Sequence, residues 1–482
     1  MIPFAPFEPD RSKFNAAASE GTLNVLPAAD GWKGMPQLNE VSASLGDECL
    51  GYVKVQDSND TLTIIAGTRT DLFKLDTSTS PYSWVNISKS AAAYNVPIGD
   101  RWQFAVFGDH VIACNLGTVL QSYDINTPAA FADIAGAPKA RTIWVTGDYL
   151  CVGSLENEPN KMAWSGLNDH TFWTYGKRGS DTQEFPDGGE VLGGFGAQTG
   201  GVVMQRNKIR YQNFAPNTGL TFTFSEANSE RGTLSQFAFV SLAPQRFFYL
   251  SSDGFFSGVE GSPIGAERVD EWFFDTVDHN YLYDVRAVPD PFEKIVWWIF
   301  RTINGTRRLL GYDWQLDRWC LSDQDLTDAG PLLTPGITWD GLDALYATID
   351  DIDVPFDSRI FKGGSPAFAA FTTDNKLAYF TGTNQAATLQ TAQIELNPGH
   401  RTFVNGGRVK SDATNYTVTI GAAAFHGGSI TNKTAVSPSA RSGHLPLRCS
   451  GKIHQVTVNI PAGESWTIAS SVELTAPREG MQ

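Results

Sequence analysis

Charge is scarce in this 482-residue chain, with Asp, Glu, Lys and Arg together making up only 18% of it. Long stretches rich in Ala, Glu, Lys and Leu are missing, which argues against a helical protein. The five cysteines (Cys49, Cys114, Cys151, Cys320 and Cys449) show no CxxC and no even framework. That is the pattern of a chain folded in a reducing cytosol, without a disulfide scaffold. No stretch reaches the roughly 20 apolar residues of a membrane span. The opening "MIPFAPFEPDRSK" lacks the basic and apolar regions of a signal peptide, so a protein that is soluble, or exported by a route this sequence does not show, is expected. Basic residues are outnumbered 36 to 52, a formal charge of −16. Such a chain does not grip nucleic acid by neutralising phosphates, because that requires a basic surface that releases counterions.

The usual signs of catalysis are missing too. The seven histidines form neither HxH nor HExxH, and none stands at a zinc-like interval from a cysteine. The glycine-rich "DGGEVLGGFGAQTGG" (187 to 201) is followed by no GK[ST], and reads as a set of turns rather than a phosphate loop. No G-x-S-x-G elbow occurs. "YLSSDGFFS" (249 to 257) places Asp253-Gly254 between apolar runs, a hairpin signal, and lacks the spaced pattern of sialidase-like blades. No catalytic residue, metal site or cofactor is assigned. A propeller that binds or cleaves carbohydrate needs only two well-placed carboxylates and stays as an alternative, as does a propeller scaffold for protein partners.

Short β-like runs separated by turns are abundant: "LTIIAGT", "DLFKLDT", "YSWVNIS", "WQFAVFGDHVIACN", "TIWVTGDYLCVGS". Aromatic residues punctuate them at Trp84, Phe131, Trp173, Phe222, Trp272 and Trp319, with spacings of 47, 42, 49, 50 and 47. Those intervals suit one four-stranded propeller blade per repeat. "VWWIFRTINGTRRLLGYDW" predicts a hairpin with Asn304-Gly305 in a type I′ turn. "RVDEWFFDTVD" predicts a short helix with Val269, Trp272, Phe273 and Val277 on one face. Beyond about residue 385 the texture changes, and Tyr416, Val418 and Ile420, like Val456, Val458 and Ile460, alternate with polar residues. The expected architecture is all-β: an N-terminal arm at 1–44 that lies on another domain or subunit, a β-propeller of six or seven blades at 45–385 and a C-terminal β-sandwich at 386–482. Residues 323–385 are either a tip insertion or a seventh blade.

Charge is unevenly placed. Residues 312 to 357 hold eleven aspartates and one basic residue, Arg318. Of these, Asp323, Asp325, Asp328, Asp350, Asp351, Asp353 and Asp357 are candidates for an acidic tip or channel surface. Solvated loops, a calcium site at Asp323, Asp325 and Asp328, and a wall that repels a polyanion all fit. Residues 400 to 482 carry a net +4, leaving −20 on the rest. Arg401, Arg408, Lys410, Arg441, Arg448 and Lys452 face only Asp412 among acidic residues between 400 and 454. They are candidates for docking an acidic surface.

Nine phrases in order, "LPAADGWKGMPQL", "DRWQFAVFGDHVIACN", "NKMAWSGLNDHTFWT", "SDTQEFPDGGEV", "FFYLSSDGFFSG", "PIGAERVD", "YDWQLDRW", "LNPGHRTFVNGGR" and "VNIPAGESWTIA", resemble the tail-tube nozzle, or packaged-DNA stabilisation, proteins of short-tailed phages and prophages. The similarity runs from about residue 24 to 478. It implies a propeller-bearing subunit, not an enzyme, in a homohexameric ring at the distal end of a virion tail. Assembly in the bacterial cytoplasm, an adaptor or portal-proximal partner, and double-stranded DNA that passes without specific binding are implied with it.

Overall fold

The computed structural model describes residues 1–12, 18–56, 62–127, 129–215, 218–243, 246–334, 348 and 366–475. Six four-stranded antiparallel meanders follow one another, at residues 52–86, 103–133, 140–184, 191–228, 239–263 and 286–322. A seventh sheet takes three strands from Asp328–Leu333, Pro366–Phe371 and Leu377–Asn384. Its fourth strand comes from the other end of the chain. We number the N-terminal strands β1 (Ile2–Pro3), β2 (Val25–Ala28), β3 (Gly31–Gly34) and β4 (Pro36–Glu40), and β4 pairs with Leu377–Asn384 in the register Phe380↔Leu38. The described residues thus form a seven-bladed propeller.

Ring closure is visible in the packing. Ile65 and Leu72 of the first blade share a core with Val111 and Ala113 of the second, and each later junction has a comparable cluster. At the last junction Ile64 and Leu75 of the first blade pack on Leu332, Phe371 and Tyr379 of the seventh. Each sheet buries both faces against its neighbours, which explains runs such as Tyr149–Leu155 that are apolar or small throughout and fully buried. The first strand of every blade lies at the axis, since one central cavity is bounded by Tyr52, Gln103, Ile143, Gly193, Phe239, Ala287 and Ala329.

The C-terminal region forms two facing sheets and a ribbon. One sheet joins Ala387–Gln390, Ile453–Ile460, Thr417–Ala423 and Thr431–Asn432, and the other builds Gly406–Ser411, β1, β3 and β2 around Ala469–Thr475. Val418 pairs with Val458 and Ile420 with Val456, with all four side chains inward. They share one apolar cluster with Val25, Trp32 and Val472 of the facing sheet and with Trp297, Ile299, Phe368 and Ala370 of blades six and seven. Propeller and sandwich therefore have a common core.

The described residues of the N-terminal 44 are used within their own chain. β1 pairs with the C-terminal strand (Ile2↔Val472), and β2–β3 is a hairpin that touches it at Trp32↔Ala469. Between these strands the chain crosses blades five and six, where Phe7 is buried edge-on to Trp272 at 4.8 Å and Glu8 pairs with Arg268. Helix α1 (Asp270–Thr276) has Val269 at its N-cap, which offers no side-chain acceptor. The Asp10 carboxylate supplies one from 260 residues away, accepting from the Glu271 and Trp272 amides at 2.8 and 2.9 Å. Val269, Phe273 and Val277 are fully buried and Trp272 half-buried.

Three local expectations need correction. Gly305 has φ +85° but Asn304 is not in the left-handed region, and the Gly305 amide donates to the Thr302 carbonyl. That is a type I turn closed by a left-handed glycine, a three-residue hairpin loop rather than type I′. In "SSDGFF" the central pair is Ser252-Asp253, and Gly254 (φ +139°) opens the next strand opposite Ser251. A Cβ there would lie 2.3 Å from the Asp270 carboxylate, which accepts from the Phe255 amide. Finally, Val191–Ala197, expected as turns, is the innermost strand of blade four. Glycine is required in it because a Cβ on Gly194 would lie 2.6 Å from the Trp144 indole.

Removing the long-range cap tests this stitching. Asp10→Ala should cost about 1 kcal/mol, read as a lower urea midpoint, and should speed amide exchange at Glu271 and Trp272. Unchanged exchange at both amides would show that the cap is not made.

Candidate functional site at the propeller axis

The residues that begin the innermost strands are unusually charged. Glu48 and Cys49 precede the first blade, Asp100 and Arg101 the second, Glu190 the fourth, Gln236 the fifth and Asp284 the sixth, while Arg141, Arg286 and Asp328 stand at the start of the third, sixth and seventh. Because these strands run in the same sense around the axis, their starts converge at one mouth of the ring. Arg101 donates through Nη2 to Asp328 Oδ2 at 2.5 Å and to the Cys49 carbonyl at 2.9 Å. Its Nη1 lies 3.5 Å from Asp284. Arg286 reaches the same two carboxylates at 3.3 Å (Asp328) and 3.6 Å (Asp284), and Arg307 joins Glu48 at 2.7 Å and Asp284 at 3.8 Å. Beside them the buried Asp100 accepts from the Arg101 and Leu116 amides, with Arg141 bridging it at 3.8 Å to Glu190 at 2.6 Å.

Burial sets the electrostatics. Desolvation pushes the Asp284 carboxyl up, but the surrounding Arg286, Arg101, Arg307 and Arg301 guanidiniums outweigh it and hold the group below the usual range. Arg101 and Arg286 share the same carboxylates, yet shift in opposite directions. Desolvation lowers both, and for Arg101 the carboxylates Asp328 and Asp284 overcome it, whereas Arg286 stays lowered by burial and by Arg101 itself. The neighbouring charges account for the difference, because Arg101 is also near Glu48, whereas Arg286 stands beside the like charges of Arg101 and Arg307.

Only part of the acidic surface expected from sequence is in view. Asp323 is exposed and accepts from Asn24 Nδ2 at 2.7 Å, while Asp325 is exposed and receives the Arg307 amide at 3.3 Å. Asp328 is a buried ion-pair partner at the axis, so it belongs to no tip or open channel wall. The three carboxylates serve different partners and do not converge as cation ligands. Asp350, Asp351, Asp353 and Asp357 lie outside the described residues.

The six basic candidates fall into three places. Arg401, Arg448 and Lys452 lie on the exposed face of the ribbon Thr402–Val404 with Cys449–Gly451, around Phe403, which is 40% exposed. Alternation turns Thr402, Val404, Cys449 and Gly451 inward and leaves those cations outward. Arg408 and Lys410 are exposed on the neighbouring strand pair, opposite Glu473 and Ser471, and Arg441 is on an exposed loop. Asp412 does not serve them. Burial pushes its carboxyl up, but hydrogen bonds from Thr467 and Ile468 prevail and hold it low.

The axial cluster was missed by sequence reasoning because its members come from the starts of seven separate blades. "DRW" at 100 to 102 and "VRA" at 285 to 287, each an arginine just ahead of an apolar strand, are the signal that carried it.

No family model matches the chain, and no curated protein matches it. Among solved structures it is similar to the extracellular domain of the putative hybrid two-component system BT4673 from B. thetaiotaomicron, at TM-score 0.34 and 11% identity, covering 85% of this chain and 47% of that one. This chain thus spans about half the length of that protein. It is also similar to the N-terminal domain of Nup159, at TM-score 0.39 and 10% identity, covering 73% of this chain and 97% of that one.

Asp328→Asn leaves two buried guanidiniums with one shared counter-charge, Asp284, in place of two and should cost roughly 3–5 kcal/mol by urea unfolding. Asp323→Asn and Asp325→Asn, being exposed, should each stay within about 0.5 kcal/mol of the parent. Equal effects at all three positions would contradict the placement.

Proposed function

We propose that the chain is a structural subunit of a phage tail nozzle, which assembles as a ring of six copies around a conduit for DNA. The observation that carries this reading is the ordered set of nine phrases. Their charged residues recur in the contacts that hold the body together: Arg101 at the axis, Glu190 beside it, and Arg268 of "PIGAERVD" bound both to Glu8 and to Asp317 of "YDWQLDRW". The phrase "LPAADGWKGMPQL" covers most of β2, all of β3 and the first three residues of β4, the segment that joins sandwich to propeller. A subunit under the pressure of passing DNA benefits from such stitching, since domains with a large shared core do not swing apart.

The propeller axis is not the conduit in this reading. Its cavity is about 330 Å³, whereas a DNA duplex is wide enough to have a major groove of about 12 Å. DNA would pass between copies. The basic ribbon around Phe403 then docks an acidic surface of a neighbouring copy or of an adaptor, consistent with the −20 carried by residues 1 to 399.

Native mass measurement tests assembly, with six times the 52.5 kDa of one chain expected and a stable monomer at particle-like concentrations contradicting it. Monomers that hydrolyse a glycan would favour the carbohydrate reading instead. Arg401→Glu with Arg448→Glu should weaken assembly about tenfold at low ionic strength and less at high salt, where screening is stronger. Unchanged assembly at both salts would remove the ribbon from the interface.

A further inference from the structure

A cavity of about 310 Å³ opens away from the axis, where blades six and seven meet the N-terminal segment. Its walls are mainly apolar. Blade six contributes Trp297 and Phe292, blade seven Phe368 and Phe380, and the N-terminal segment Leu26 and Met35. Phe368 and Phe380 stack at 5.2 Å, and Phe292 is 51% exposed on the hairpin turn that follows Asp290. One buried charge is built into this lining. Asp290 is 4% exposed, and its Oδ1 accepts from the Phe292 and Glu293 amides at 3.0 and 3.2 Å. Oδ2 receives no hydrogen bond among the described residues, and it is not one of the unpaired polar atoms sealed from solvent. Lys33 pairs with Glu293, leaving Asp290 without an ion-pair partner among the described residues.

The carboxylate decides what the cavity takes. Burial pushes the Asp290 carboxyl up to about 6, against the two amides, while Glu293 adds to the rise and Lys33 opposes it. At neutral pH the group is mostly ionised, and Asp290, Glu293 and Lys33 together leave one negative charge uncompensated. A neutral apolar ligand would cover that carboxylate without pairing it, at a cost of about 1–3 kcal/mol. A metal ion needs several oxygen ligands, and Glu293 is already held by Lys33. An ammonium on an apolar body meets both demands, because it donates to Oδ2 while aromatic faces attract the cation and cover the body. We propose that this cavity binds a small organic cation, an ammonium carrying an apolar group, with Asp290 accepting from the ammonium and Phe292, Phe368 and Phe380 enclosing the rest. Its volume is within the range of small-molecule sites, about 300 to 1,000 Å³. This site does not rest on the nozzle reading and would stand if the chain were a monomer.

The test uses benzylammonium chloride on the full-length protein at neutral pH and constant ionic strength, with benzyl alcohol as the neutral analogue of the same shape. Calorimetry should find one saturable site per chain for the cation, and the cation should bind about tenfold more tightly than the alcohol, the worth of a charged hydrogen bond. Asp290→Asn keeps the acceptor for both amides and should erase that preference. Phe292→Ala, at an exposed position, should weaken the cation about threefold. Binding should also weaken as pH falls through about 6, because the carboxyl gains a proton while the ammonium stays charged, and Asp290→Asn should lose this pH dependence. If Asp290→Asn does not fold, a cryo-EM or crystal map of the parent protein in benzylammonium decides, and density between Asp290 and Phe368 is expected. Equal affinity for cation and alcohol, a preference retained in a folded Asp290→Asn, no saturable binding, or density only elsewhere on the chain would each overturn the assignment.

Discussion

The pairing of β4 with Leu377–Asn384 is the interaction on which the rest of the molecule depends. A propeller ring closes when its last blade packs on its first, and a seventh blade without its fourth strand would leave the edge of its third strand open to other chains. Here the closing strand is supplied by residues that precede the first blade, so the seventh blade forms only when both ends of the propeller are present. The same segment continues backward into the β2–β3 hairpin of the sandwich, and β1 pairs with the C-terminal strand. One stretch of 40 residues therefore joins both ends of the propeller to both sheets of the sandwich, and its Val25 and Trp32 lie in a core that extends to Trp297 of blade six. The axial ion pairs sit at the mouth of a ring already closed by this strand, and Asp328, which two arginines share, is the first residue of that seventh blade.

Much of this was legible in the sequence. Strand-length runs, hairpin turns and aromatics at 42 to 50 residue intervals implied a propeller, because each four-stranded meander needs about that much chain. The aromatic series stopped at six, leaving six or seven blades open, for a physical reason. Trp84, Phe222 and Trp319 lie in the fourth strands of their blades and Phe131 immediately before one, whereas the fourth strand of the seventh blade is β4, some 340 residues earlier than its place in the series. A periodic signal does not survive that displacement. The sandwich was readable from alternation at Tyr416–Ile420 and Val456–Ile460. The capping of α1 by Asp10 was not, since its own N-cap, Val269, gives no hint that the acceptor comes from another part of the chain.

The charged residues show the same division. The basic ribbon was visible as a local imbalance, because its cations fall within one stretch, 400 to 454, that holds a single acidic residue, and they alternate outward. The axial cluster was invisible, because Arg101, Arg286 and Asp328 meet only when seven strands converge. Asp328 illustrates the hazard of composition: counted with ten other aspartates it suggested an acidic surface, but burial and two guanidiniums make it a structural counter-charge. An Asp-rich segment is therefore not one surface, and what its members do depends on which of them begin an innermost strand.

A body with a closed axis, stitched through a shared core and displaying a basic ribbon on an otherwise acidic chain, is suited to be one wall segment of a larger ring. Electron microscopy of the full-length protein at particle-like concentration tests this most directly. The account predicts closed rings whose central opening is bounded by several copies and is wide enough for a duplex, with each propeller axis too narrow for one. Separate single copies, or a duplex-wide opening along a propeller axis, would contradict it.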